Sequence, residues 1–305
     1  MPLKQVLGFV EDGSFWPRVH NRIRQKTHLY HVLNHNAQTL CEYDETYAKL
    51  EHQYAGLLST EKPRVPGPKP DTIWMCWLQG EQTAPSLVRA CINSTRRYNP
   101  GREVVVLDNK TIPDYVELPG YLMDAYRRGR YSAAHFSDLL RTELLCTRGG
   151  TWMDATLLST APLPDYVNKA PLFAFKELDL TRYDKTPVVA SSWFVSAAPN
   201  ETIMCATRDL LWEYWRRERH LVDYFLFHRM FALSARYFPE EWDAVPTFNN
   251  HSPHVMQFEL NGNYTDERWE QLTSMSGLHK LNHHDAFEDD GTTIYSHVLD
   301  TYLPK

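Results

Sequence analysis

The chain has 305 residues, 43% hydrophobic and 23% charged, with 32 basic against 38 acidic side chains and a formal charge of -6. Its length is ample for a buried core, in one large domain or a core domain with an appendage, and its composition excludes disordered, collagen-like and coiled-coil classes. A mildly acidic protein has no global field to draw in nucleic acid, and the 9 Trp, 17 Tyr and 13 Phe decide nothing alone, since aromatic faces serve sugar stacking and ordinary cores alike.

Residues 1–58 read as helical, with Val19, Ile23, Leu29, Leu33 and Leu40 as apolar positions among polar ones and a second helical run over 44–58. Arg18, Arg22, Arg24 and Lys26 stand here without a continuous apolar stretch, so no signal peptide is expected, and no 18-residue apolar run occurs in the sequence. The expectation is a cytoplasmic protein whose membrane contact, through those basic residues, is at most peripheral. Pro63, Pro66, Pro68 and Pro70 fall within eight residues and exclude helix. They divide the chain into a helical extension, 1–62, and a main domain, 71–305. Five cysteines, Cys41, Cys76, Cys91, Cys146 and Cys205, are widely spaced with no CxxC, which predicts reduced thiols rather than a disulfide framework.

Past the prolines, 72–77 is an apolar run of strand length, followed by Leu78-Gln-Gly-Glu81 and a helical segment over 85–98. Asn99, Pro100 and Gly101 make a turn, 103–107 is a second buried-type strand ending at Asp108 and Asn109, and 119–128 reads as helix. Strand, helix, strand, helix is the pattern of a parallel α/β sheet, in which ligands bind beyond the carboxyl ends of the strands, here near Gln79, Gly80, Asp108 and Asn109. Ser132 is the expected N-cap of a helix reaching Thr147, with Phe136, Leu140 and Leu144 on one apolar stripe. Gly149 and Gly150 end it and turn the chain into a strand over 151–154. Asp138 and Arg141 lie three residues apart on one helix face, so their simplest reading is an i,i+3 ion pair.

Neighbouring residues enlarge that reading. Ser137, Asp138 and Arg141 are followed by Gly149-Gly150 and then by Trp152-Met-Asp-Ala-Thr156 at a strand end. This set resembles the sugar-nucleotide site of GT-A glycosyltransferases. More narrowly, the chain resembles the capsular polysaccharide synthesis protein family, related to glycosyltransferase family 32 and more distantly to the clostridial glucosylating toxins. The resemblance runs over 72–281. It rests on Trp77-Leu-Gln-Gly-Glu81 with Ala84-Pro85, the Asn99-Pro100 turn, Ala134-His-Phe-Ser-Asp-Leu-Leu-Arg141, Gly149-Gly-Thr-Trp-Met-Asp-Ala-Thr156, Trp193-Phe194, Asp223-Tyr-Phe-Leu-Phe-His228 and His279-Lys280-Leu281. Several blocks in the family's order carry more than a lone carboxylate motif.

The resemblance implies an α/β fold, a GT-A (Rossmann-like) domain with a mainly parallel central sheet, preceded here by the helical extension. It implies a nucleotide-sugar-dependent glycosyltransferase that moves a hexose from a UDP-sugar to a glycan or lipid-linked glycan acceptor in capsule or surface polysaccharide synthesis, with retention of anomeric configuration. The departing diphosphate gains negative charge that the site must offset. By resemblance Arg141 reaches the donor diphosphate or sugar with its planar fork, Lys280 meets the phosphates, and Asp138 accepts hydrogen bonds from hydroxyls. Trp77 stacks on the base or belongs to the core, with Gln79 and Gly80 beside the ribose. Asp154 matches the first position of the family's Asp-x-Asp motif and is expected, with Arg141 and Asp223, to be catalytic.

The sequence departs from the family at the third position, where Thr156 stands in place of a carboxylate among the donor-binding residues. A divalent cation, Mn2+ or Mg2+, held by Asp154 and His279 with the donor phosphates is the expected cofactor, and the replacement weakens its case. Asp223 lies over the donor sugar or near the acceptor, or else is a helix N-terminal carboxylate favoured by the dipole. Trp193 stacks on an acceptor sugar or packs in the core. Two other functions stay open: a glycoside hydrolase using Asp138 and Asp154 as its carboxylate pair, and a non-catalytic nucleotide-sugar or glycan-binding module. His251, His254, His283 and His284 lie close enough in sequence for a metal cluster but lack companion cysteines or an HExxH frame.

Overall fold

The computed structural model describes residues 35–176 and 189–304. Val19, Ile23, Leu29, Leu33, the side chains of Leu40 and Cys41, and the basic set Arg18, Arg22, Arg24 and Lys26 lie outside the described residues. In chain order the elements are α1 (His35–Leu58), β1 (Ile73–Cys76), α2 (Ser86–Tyr98), β2 (Val104–Leu107), α3 (Ile112–Tyr115), α4 (Gly120–Arg127), α5 (Ala133–Thr147), β3 (Gly150–Met153) and β4 (Leu157–Ser159). There follow α6 (Asp165–Lys169), β5 (Leu172–Lys176), β6 (Ala190–Ala197), α7 (Thr202–Arg217), α8 (Leu226–Tyr237), α9 (Pro239–Asp243), α10 (Asp266–Met275), β7 (Leu278–Lys280) and α11 (Ile294–Tyr302).

Five strands form the central sheet in the order β2-β1-β3-β6-β5. β1 pairs parallel with both β2 and β3, whereas β6 runs antiparallel to β3 and to β5. Four strands therefore share one direction and β6 alone is reversed, giving the mainly parallel α/β sheet that the sequence pattern predicts. Alternation along β1 sorts its side chains between two cores. Ile73 and Met75 join Val88, Ile92, Met153, Phe173 and Phe194 on one face, while Trp74 joins Trp152, Leu139, Leu140 and Leu144 on the other. Leu50, Tyr54 and Leu58 of α1 enter that second core, where α1 packs on α7 and α8.

The α5-to-β3 connection fixes the site. The Ser132 hydroxyl accepts the His135 amide at 3.3 Å and caps α5, whose Phe136, Leu140 and Leu144 are buried. Gly149 and Gly150 take φ of 69° and 105°, conformations that side chains resist. A Cβ on Gly150 would also stand 2.7 Å from the Thr72 carbonyl, so the bare backbone lets β3 start directly beside β1. The Trp74 indole donates to the Gly149 carbonyl at 2.8 Å and locks the turn.

Cys146 and Cys205 are joined by a disulfide, which corrects the expectation of reduced thiols at these two positions. The end of α5 and the first turn of α7 lie side by side, with the Asn200 amide on the Cys146 carbonyl at 2.7 Å, a proximity invisible in a sequence separation of 59. Cys76 and Cys91 are free thiols. Among the described residues no helix is long and apolar enough to cross a membrane.

Candidate functional site

Beyond the carboxyl ends of β1 and β3 lies a cleft of about 460 Å³. β1 supplies Cys76 and Trp77, β3 leads into Asp154 and Thr156, and α5 lays Asp138 and Arg141 along one wall. Tyr224 comes from the turn just before α8 and His228 from its first turn, and β7 delivers Lys280, followed by Asn282, His283 and His284. Elements more than a hundred residues apart in sequence thus meet over one opening.

Arg141 is the centre of the polar network. Its two terminal nitrogens donate to Asp138 Oδ1 at 2.8 Å and to Asp154 Oδ1 at 3.2 Å. The guanidinium lies 5.0 Å from the Trp152 ring and 5.4 Å from the Phe227 ring, within cation–π range of both. It thereby fixes the spacing of the two carboxylates instead of offering a free fork to a ligand. The i,i+3 ion pair is present, extended to a third member. Asp138 is enclosed, and burial works against its charge, but Arg141, aided by His135, outweighs this and holds its pKa below the usual carboxylate range.

His135 orders Asp138 in turn. The Trp215 indole, which can only donate, gives its hydrogen to His135 Nε2 at 2.8 Å, so the imidazole proton sits on Nδ1, 3.5 Å from Asp138 Oδ2. Asp154 is gripped from the other side. The Trp152 indole donates to Oδ1 at 3.0 Å and Lys280 Nζ stands 3.5 Å from Oδ2, while the Asp154 amide donates to the Trp193 carbonyl at 2.9 Å. Lys280 also donates to Thr156 Oγ1 at 2.5 Å. Its side chain is 21% exposed against 4% for Arg141, so of these two cations, among the described residues, Lys280 is the one that a ligand in the cleft can reach.

Five residues of the expected donor set, Trp77, Asp138, Arg141, Thr156 and Lys280, therefore share the cleft with Asp154. Gln79 and Gly80 do not line it. They form the turn after β1, where the Gly80 amide bonds the Trp77 carbonyl at 2.8 Å and Thr83 Oγ1 bonds the Gln79 carbonyl at 3.0 Å. Asp108 is likewise occupied, its Oδ1 accepting the Lys110 and Thr111 amides at 2.8 Å each.

Three expectations are corrected. His279 does not face the cleft: it is 1% exposed, its Nε2 is 3.0 Å from Thr160 Oγ1, and burial lowers its pKa to about 4. Neighbours in a strand point to opposite faces, so with Lys280 in the cleft His279 is turned away. Asp223 is not among the lining residues. Its Oδ1 accepts the Phe225 amide at 3.1 Å and its Oδ2 accepts Arg229 Nε at 2.5 Å, making it a carboxylate of the α8 N-terminus paired with a buried arginine. Trp193 is core, stacked on Phe175 at 4.9 Å; it meets the site through its backbone carbonyl, which accepts the Asp154 amide, and through an edge contact of its ring with the cleft residue His254 at 5.5 Å.

The sequence reading gave no role to His135, Ser192, Tyr224, His228 or Gln257, all of which line the cleft. His228 and Tyr224 lie inside the quoted aromatic block, and two polar rings among apolar ones were the available signal. Burial, partly countered by Asp138, lowers the His228 pKa to about 4 and keeps its ring neutral at pH 7. His283 meets Trp77 edge-on at 5.3 Å and His284 at 3.9 Å, which puts imidazoles beside the aromatic wall.

These side chains do not fit a protein-held divalent cation. Among the described residues no three His, Cys, Asp or Glu side chains converge on one point, and both Asp154 oxygens already face cationic or N–H groups. Thr156 Oγ1 is taken by Lys280.

The family described as capsular polysaccharide synthesis protein matches residues 25–298. No curated protein sequence matches. Among solved structures, the chain is similar to the PaToxG glycosyltransferase, with 12% identity over 86% of this chain and 98% of that one, at a TM-score of 0.37. It is also similar to the apo structure of the bifunctional glycosyltransferase WbbM, with 11% identity over 80% of this chain, at a TM-score of 0.45, and spans 51% of that protein. The family match covers most of the sequence and contains every element around the cleft. The chain belongs to the capsular polysaccharide synthesis protein family.

Proposed function

We propose that the protein moves a sugar from a nucleoside-diphosphate sugar to a growing glycan or lipid-linked glycan, with the donor lying in the cleft between Trp77 and His228. The observation that carries this reading is the Asp138–Arg141–Asp154 chain, which holds two carboxylates at fixed spacing beside the reachable Lys280 ammonium. Each carboxylate oxygen can accept more than one hydrogen bond, so Asp138 and Asp154, though paired, can still take ribose or sugar hydroxyls, while Lys280 meets the diphosphate. Trp77 and His283 offer ring faces and edges to a base, with a UDP-sugar the favoured donor. Tyr224, 65% exposed at the rim, takes the acceptor-stacking role first given to Trp193.

Asp138 and Asp154 share one guanidinium, which leaves neither as the free acid or base that a glycosidase needs. Retention of anomeric configuration, with the departing phosphate taking the acceptor proton, is the stereochemical course that the family resemblance implies.

Melting curves with UDP, GDP, CDP and their sugars, followed by donor-hydrolysis and transfer assays, test the reading. One nucleotide series should raise the melting temperature in a concentration-dependent way, since a ligand bound to the folded state stabilises it by mass action. Absence of any shift at millimolar ligand sinks the transferase assignment. Cleavage of a glycoside without nucleotide moves the protein to the hydrolase class.

A further inference from the structure

The departure of the chain from the Asp-x-Asp pattern and the position of Lys280 are two sides of one arrangement. β4 and β7 pair antiparallel with Leu157 opposite Lys280, and the Leu281 amide donates to the Thr156 carbonyl at 3.0 Å. The ladder thereby holds the Lys280 backbone in register with the residue pair that follows Asp154. Its ammonium sits 2.5 Å from Thr156 Oγ1 and 3.5 Å from Asp154 Oδ2, between the first and third positions of the motif. A carboxylate at Thr156 would join Asp154 in binding a cation there, whereas a hydroxyl accepts a hydrogen bond from an ammonium and adds no charge. The remaining groups agree. Arg141 and the Trp152 indole occupy Asp154 Oδ1, and His279 is turned away onto Thr160. A divalent ion at this point would face Lys280 and Arg141 with a single carboxylate to hold it.

We propose that Lys280 takes the place of the divalent cation, so that this enzyme binds its nucleoside-diphosphate donor and stabilises the leaving group without metal. The proposal rests on the nucleotide-sugar reading of the cleft. In the transfer the bond from the anomeric carbon to the diphosphate oxygen breaks with its electron pair left on that oxygen. The acceptor oxygen bonds to the anomeric carbon, and the acceptor proton passes to the departing phosphate. Lys280 offsets the charge that accumulates on the diphosphate, while Asp154 and Thr156 keep the ammonium aimed into the cleft. Thr156 thus acts as a positioning residue for Lys280.

The test uses the full chain, stripped with a chelator and shown to be metal-free by elemental analysis. Binding of UDP, GDP and CDP is measured calorimetrically in excess EDTA and again in millimolar Mn2+. The nucleotide that binds should do so with a Kd unchanged within about twofold between the two conditions. Lys280→Met should weaken that nucleoside diphosphate at least tenfold while leaving the corresponding nucleoside unchanged, a split that general loss of structure does not produce, and Lys280→Arg should recover most of the loss. The double variant Thr156→Asp with Lys280→Ser should gain Mn2+-dependent binding that the wild type lacks. Nucleotide binding that vanishes in EDTA and returns with Mn2+ in the wild-type protein overturns the proposal while sparing the donor reading. Unchanged diphosphate affinity in Lys280→Met does the same. No nucleotide binding in either condition overturns both.

Discussion

Arg141 is where residue chemistry and site geometry coincide. A buried guanidinium bridging two carboxylates needs a planar fork that addresses both at once, and lysine, a point charge, cannot do so. Arg141→Lys should therefore separate the carboxylates and leave one of them poorly paired at the centre of the site. We expect transfer to fall at least a hundredfold, with a lower melting temperature and a native far-UV spectrum. Near-normal turnover in this variant would remove Arg141 from the centre of the site. At this scale much was legible in the sequence. The Asp138–Arg141 pair follows from helical spacing, and Asp154 follows from the glycines and the strand before it. His279 and Lys280 were assigned together because consecutive residues look alike in a motif, yet a strand sends them to opposite faces, and nothing in the letters says which face is inside. The role of Asp223 depended on Arg229, six residues away and buried beside it, and a lone carboxylate in a sequence does not name its partner.

At the scale of elements, β1, α2, β2, α4 and α5 were readable because each has a strong local signal: a short apolar run, a turn at Asn99-Pro100-Gly101, or a cap at Ser132. The reversal of β6 was not readable, since a fully buried run carries no mark of its direction. Nor was the pairing of β4 with β7, three-residue strands more than a hundred positions apart whose register nonetheless places Lys280. The glycine turn joining α5 to β3 is the most exacting local feature. Gly150→Ala would put a side chain at φ 105° and 2.7 Å from the Thr72 carbonyl. Adding about 1–2 kcal/mol for a left-handed residue to about 1–3 kcal/mol for overpacking gives roughly 3 kcal/mol. That corresponds to a melting temperature lower by about 5–10 °C for a chain of this size. Gly56→Ala is the matched control. Gly56 lies within α1 with no atom near its Cβ position, so alanine there should raise stability by up to about 1 kcal/mol. Equal effects from the two changes would show that the turn tolerates a side chain.

Across the whole molecule, stability should depend on pH through groups held in unusual protonation states. His228 and His279, each lowered by burial to about 4 from an ordinary 6.5, are neutral in the folded protein, so unfolding takes up protons at both. Their contribution is present above pH 6.5 and is lost as pH falls towards 4. Glu201 acts in the opposite sense. Its carboxyl caps α7 by accepting the Ile203 and Met204 amides at 3.1 and 2.8 Å, but burial raises its pKa from 4.5 to about 7 against those two bonds. A raised folded pKa favours the protonated form, so the Glu201 contribution is complete below pH 4.5 and is lost as pH rises through 7. The gap corresponds to about 3 kcal/mol. Glu201→Gln keeps an amide oxygen for the cap and removes the titration. The unfolding free energy of this variant, measured in denaturant relative to wild type, should therefore improve by about 3 kcal/mol between pH 4.5 and pH 7.5. The histidine contributions cancel in that difference because both proteins carry them. A difference that stays flat over this interval would mean that Glu201 is ionised in the folded protein throughout, with the helix amides outweighing its burial.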